Sequence, residues 1–107
     1  ADRPAAVRAL AAATGAVVLL KGPRTLVCGA DGWIAINPTG GPALATAGSG
    51  DVLTGVIGAL IAAGHPPAVA ASLGAYVHGA AGDTLAARLG AGVVASDLPE
   101  AIAAALA

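Results

Sequence analysis

From Asn37 to Gly55 the chain reads Asn-Pro-Thr-Gly-Gly-Pro-Ala-Leu-Ala-Thr-Ala-Gly-Ser-Gly-Asp-Val-Leu-Thr-Gly, a loop of small residues that runs into an apolar helical pattern. One carboxylate, Asp51, stands at the junction. Glycine lets the main chain come close to a ligand, and the first turn of a helix carries unpaired N–H groups at its positive end. Gly48, Ser49 and Gly50 therefore form a candidate anion hole. A carboxylate beside bound phosphate is repelled unless a cation intervenes or the carboxylate takes a proton. Asp51 accordingly reads as a base set next to a phosphate. The plainer alternative is a glycine-rich connection in which Asp51 only favours the helix dipole, an effect of about 0.3–1 kcal/mol.

The named phosphate motifs do not account for this loop. A P-loop needs a lysine after its last glycine, and Asp51 follows Gly50. A dinucleotide fingerprint starting at Gly48 needs glycine where Leu53 stands. A second candidate, Lys21-Gly22-Pro23-Arg24-Thr25, follows the apolar run Ala16–Leu20. Ligands of open α/β sheets gather beyond such strand ends. Two cations and a hydroxyl there suit nucleotide phosphates or ribose, so the two segments read as two walls of one pocket. The alternative is a solvated turn between strands. His78 and Asp83 stand five residues apart on a long helical pattern, too far round for an obvious pair, and read as helix packing. No zinc-like spacing and no Ser/His/Asp or Cys/His nucleophile set is present.

Elements must hold these residues in place. Asp2 and Pro4 start a first helix that Thr14-Gly15 ends, with Val7, Leu10 and Ala11 on its core face. Ala16 to Lys21 reads as a strand buried on both faces. Thr25–Cys28 and Trp33–Ile36 form a hairpin across Gly29-Ala-Asp31-Gly32. Val52, Leu53, Val56, Ile57, Leu60 and Ile61 make a helical stripe closed by Gly64 and Pro66. A further helix runs from about Pro67 to Leu89. Its Gly74, Gly79 and Gly82 require another backbone close by, and Gly55 with Ala59 offer a matching small face. Asp97 and Glu100 suggest a capping box for a last helix ending near Leu106.

Composition narrows the classes. The 107 residues carry net charge −1, and 10% are charged, against about 25% in ordinary globular domains. A small domain has proportionally more surface, so this shortfall points to a surface covered by a missing part of the domain or by a second copy in a homo-oligomer. Scattered basic residues exclude a nucleic-acid footprint. The run Val52–Gly64 falls short of the roughly 20 residues a spanning helix needs. The N-terminus has no signal-peptide layout, and the single Cys28 fits a reducing cytoplasm.

Four segments carry a resemblance to a known family: Val18–Gly22; Asn37–Gly40 with Ala47–Gly55; His78-Gly79 with Ala81-Gly82-Asp83; and Ala95–Leu98. Together they resemble the C-terminal part of the NAD(P)H-hydrate dehydratase domain, a member of the ribokinase-like superfamily. The resemblance implies an α/β fold, the C-terminal part of a ribokinase-like α/β/α sandwich whose N-terminal half is absent from residues 1–107. It implies a lyase that repairs hydrated NADH or NADPH with ADP or ATP as co-substrate and Mg²⁺ as the assisting cation. The hydrate hydroxyl is phosphorylated and phosphate is then lost. Asp51 matches the catalytic base and substrate contact. Lys21, Gly22, Pro23, Arg24, Thr25 and Gly50 match nucleotide-binding positions. Two other readings stay open: a ribokinase-like small-molecule kinase, and a nucleotide-binding fragment without catalysis.

Overall fold

The computed structural model describes residues 2–106. The chain opens with α1 (Arg3–Thr14), capped by Asp2, whose Oδ1 accepts the Ala5 N–H at 3.0 Å, and ended by Gly15. Val7 and Ala11 of α1 are buried, four residues apart and therefore on one seam. Leu10, expected on the same face, lies at its flank and is 53% exposed.

Three short strands follow: β1 (Val18–Leu20), β2 (Leu26–Cys28) and β3 (Ile34–Ile36). They form an antiparallel sheet in the order β1-β2-β3, pairing Leu20 with Leu26 and Cys28 with Ile34. The β2–β3 hairpin turns where expected. The Gly29 N–H reaches the Trp33 carbonyl at 3.0 Å, and Asp31 Oδ1 accepts the Trp33 N–H at 3.1 Å. β1 departs from its reading as a strand buried on both faces. It is half-buried throughout, because it lies at the sheet edge with β2 as its one neighbour among the described residues.

Alternation along β2 builds the layers. Leu26 and Cys28 pack with Val7 and Ala11 of α1, while Val27, 1% exposed, turns to the opposite face. There α3 (Pro67–Leu89) lies against β2. Helix, sheet and helix stack as an α/β architecture. α3 also packs on α2 (Ser49–Ala62) and α4 (Leu98–Leu106), joining Val77, Ala81, Leu85, Val93, Leu98 and Ile102 in a second core.

The glycines of α3 admit close neighbours, though not the ones expected. Gly55 of α2 faces open space. A Cβ on Gly74 would lie 2.7 Å from Ile57 Cγ1, and one on Gly79 would lie 2.7 Å from the Thr39 carbonyl carbon. The small face thus belongs to α3 alone, and a branched side chain and a loop fill it. Asp97 also acts differently from expectation. Its Oδ2 accepts the Val94 N–H at 2.9 Å, so it closes the short turn before α4 rather than pairing with Glu100.

Candidate functional site

β1 and β3 run in the same direction, so Lys21–Thr25 and the loop after Ile36 emerge at one end of the sheet. A cavity of about 460 Å³ opens there. Lys21, Gly22, Pro23 and Thr25 line one side; Asn37, Thr39 and Gly40–Pro42 line another. Leu44, Leu53, His78 and Gly79 complete the wall. Most of this lining is apolar, as suits a flat ring, with polar groups at a few fixed points. Arg24 is exposed and lies outside the cavity wall.

The start of α2 lies beside this cavity, near Lys21 and His78 of its lining, although Gly48, Ser49, Gly50 and Asp51 are not themselves in its wall. α2 begins from Gly48, which sits at φ 86° in the left-handed region that glycine adopts without strain, and has no side chain to cap the helix. The Ser49 N–H is taken by the Thr46 carbonyl and the Val52 N–H by the Gly48 carbonyl, each at 3.2 Å. Between them, the N–H groups of Gly50 and Asp51 have no acceptor among the described residues. Lys21 comes from the opposite wall, and its Nζ would stand 2.8 Å from a Cβ built on Gly50. A cation and two such amides at the positive end of a helix form a donor set of the kind that suits an anion. Asp51 is on the same turn with its side chain exposed.

α3 holds both sides of this arrangement. Asn37 Nδ2 donates to the Ala75 carbonyl at 3.0 Å, Thr39 Oγ1 to the Tyr76 carbonyl at 2.9 Å, and the Gly40 N–H to Asp83 Oδ2 at 3.0 Å. His78, 3% exposed, places Nε2 3.0 Å from the Ser49 carbonyl and 3.2 Å from Ser49 Oγ. Burial pushes the His78 imidazole below its ordinary pKa. The backbone hydrogen bond to Ser49 opposes this shift, and the Lys21 charge adds to it. Burial thus favours the neutral ring.

The structure brings Lys21, Gly22, Pro23 and Thr25 to the cavity and sets Lys21 against Gly50. Gly48 and Ser49 shape the turn, while the open amides are those of Gly50 and Asp51. His78 and Asp83, read as helix packing, do not pair with each other: His78 ties α3 to the start of α2 at Ser49, and Asp83 ties it to the loop at Gly40. His78 also lines the cavity. No cluster of three metal-ligating side chains occurs among the described residues.

Fold and site together define an α/β protein with a cavity at the end of its sheet, one of whose lining residues, Lys21, approaches the start of α2. The chain belongs to the NAD(P)H-hydrate dehydratase family, whose model matches residues 1–104. It is 50% identical over 103 residues to the ADP-dependent (S)-NAD(P)H-hydrate dehydratase of Neisseria meningitidis, an alignment covering 94% of this chain and 35% of that protein. It is 61% identical over 75 residues to the bifunctional NAD(P)H-hydrate repair enzyme of Moorella thermoacetica, covering 70% of this chain and 14% of the relative. The ADP/ATP-dependent NAD(P)H-hydrate dehydratase of Bacillus subtilis, co-crystallized with ATP/Mg²⁺, superposes with a TM-score of 0.92 at 31% identity. That match covers 98% of this chain and 38% of the solved one. The chain thus spans well under half the length of these relatives.

Proposed function

We propose that this chain is the C-terminal, nucleotide-binding part of an ADP- or ATP-dependent dehydratase that restores hydrated NADH or NADPH. The observation that carries the reading is the approach of Lys21 Nζ to Gly50 at the start of α2, where the Gly50 and Asp51 amides have no acceptor among the described residues. These donors would bind a phosphate group of the nucleotide, with Gly22, Pro23 and Thr25 along its side and Arg24 at the rim. Gly48 and Ser49 shape the turn that presents them. Fixed amides aimed at developing phosphoryl charge stabilise a transfer step without reorganisation. Asp51, solvent-facing on the same turn, would accept the proton of the hydrate hydroxyl as that oxygen attacks the phosphoryl group. Loss of phosphate then regenerates the dihydronicotinamide.

The donor set suits Mg²⁺ as a companion of the nucleotide rather than as a resident metal. Asp51 is the single carboxylate on the open turn, and Mg²⁺ is commonly held by one or two carboxylates together with phosphate oxygens. When bound, the cation would screen charge between phosphate and carboxylate. The reading places the protein in the cytoplasm and has the rest of the domain, or a second copy, covering exposed apolar side chains such as Trp33, Ile36 and Tyr76. In support, no helix among the described residues is long and apolar enough to cross a membrane.

The test supplies the complete domain with hydrated NADH and ADP or ATP and follows the dihydronicotinamide absorbance. Recovery of the chromophore with release of phosphate supports the dehydratase. A stable phosphorylated product would replace it with a kinase, and nucleotide binding without turnover would leave a binding protein.

A further inference from the structure

We infer that His78 is a positioning residue for the phosphate end of the pocket, fixing the first turn of α2 by donating its Nε2–H to the Ser49 carbonyl. The inference rests on reading that turn as a phosphate site. A carbonyl oxygen has no proton to give, so the ring proton of neutral His78 sits on Nε2, and the 3.0 Å contact is a donated hydrogen bond. Ser49 Oγ, at 3.2 Å from the same nitrogen, shares that proton as a second acceptor. His78 thus grips the residue immediately before the two free amides by both its main chain and its side chain.

The anchor is rigid for reasons independent of the ring. His78 lies mid-helix on α3, with Val77 and Gly79 buried on either side. The same stretch fixes the opposing loop through the Ala75 and Tyr76 carbonyls and Asp83. One helix therefore sets the separation between the loop at Asn37–Gly40 and the helix start at Ser49. A glycine N-cap supplies no side chain of its own to hold that start. The grip comes instead from a residue 29 positions later.

Glutamine at 78 can present an N–H near the Nε2 position, whereas leucine fills similar space without a donor. In the complete domain, binding of ADP and of adenosine is measured by calorimetry for the parent, His78→Gln and His78→Leu, with thermal unfolding of each. Losing one such hydrogen bond should weaken ADP about five- to tenfold in His78→Leu. Adenosine affinity should stay at the parent value, and His78→Gln should recover ADP binding to within about threefold. Parallel loss of ADP and adenosine, or no change in either, would overturn the inference and leave His78 a packing residue. If His78→Leu does not fold, His78→Asn, whose amide ends short of Ser49, takes its place with the same expectations. A parent that binds no ADP refutes the phosphate site itself, a result separable from any variant's behaviour.

Discussion

Two helices of this chain begin in opposite ways. α1 closes its own start: Asp2 Oδ1 takes the Ala5 N–H, and Pro4 in the first turn has no N–H to satisfy. α2 starts from a glycine without a side-chain cap, leaves the Gly50 and Asp51 amides without acceptors among the described residues, and has the Lys21 ammonium close to Gly50. A cation in that place is unfavourable in the free protein and becomes favourable once an anion joins it. The closed start is complete as folded. The open start is held by its surroundings, and the proposed nucleotide phosphate would complete it.

The comparison breaks most visibly at Asp51. Asp51→Asn in the complete domain should lower turnover on hydrated NADH by about 10²–10⁴-fold, the range for a lost general base. ADP affinity, measured by titration, should stay within about threefold, because the amide at residue 51 remains. Equal loss of both would make Asp51 structural. Next comes Gly50→Val, whose side chain would occupy the place of Lys21 Nζ. It should weaken ADP binding about tenfold or more, equivalent to about 1.4 kcal/mol, with little change in unfolding temperature.

At the closed start the pattern should reverse. Asp2→Ala should cost about 1 kcal/mol in chemical unfolding and leave ADP affinity unchanged. The smallest effect is the pH dependence of His78, whose ring burial holds below the ordinary value of 6.5 with Lys21 as the neighbouring charge. Below pH 6.5 the unfolded chain takes up a proton that the folded ring resists, so stability falls as pH drops from neutral through that value. The loss is limited to about 1.4 kcal/mol per unit by which the pKa is lowered. Urea midpoints across this range should show the slope in the parent and a flatter line in His78→Gln.

Much of this was legible in the residues. α3 runs over Pro67–Leu89 as its proline and apolar spacing indicate, and the Gly29–Gly32 turn joins β2 to β3. Such features depend on neighbours within a few positions, where dihedral preference and periodicity act. Leu10 and the burial of β1 were misjudged for a common reason. Apolar character says that a residue can be buried, but the packing partners decide whether it is.

By itself the sequence determined where helices and strands run, that a glycine-rich loop with a lone carboxylate at its junction leads into a helix, and that its motifs belong with those of a hydrate dehydratase. Only the tertiary structure decided that Lys21 meets Gly50, that Ile57 and Thr39 fill the small face of α3, and that His78 holds Ser49 while Asp83 holds Gly40. Those contacts join residues 17 to 43 positions apart. No local propensity encodes such pairs. They arise when two cores fix the helices and the sheet at distances that let particular side chains reach.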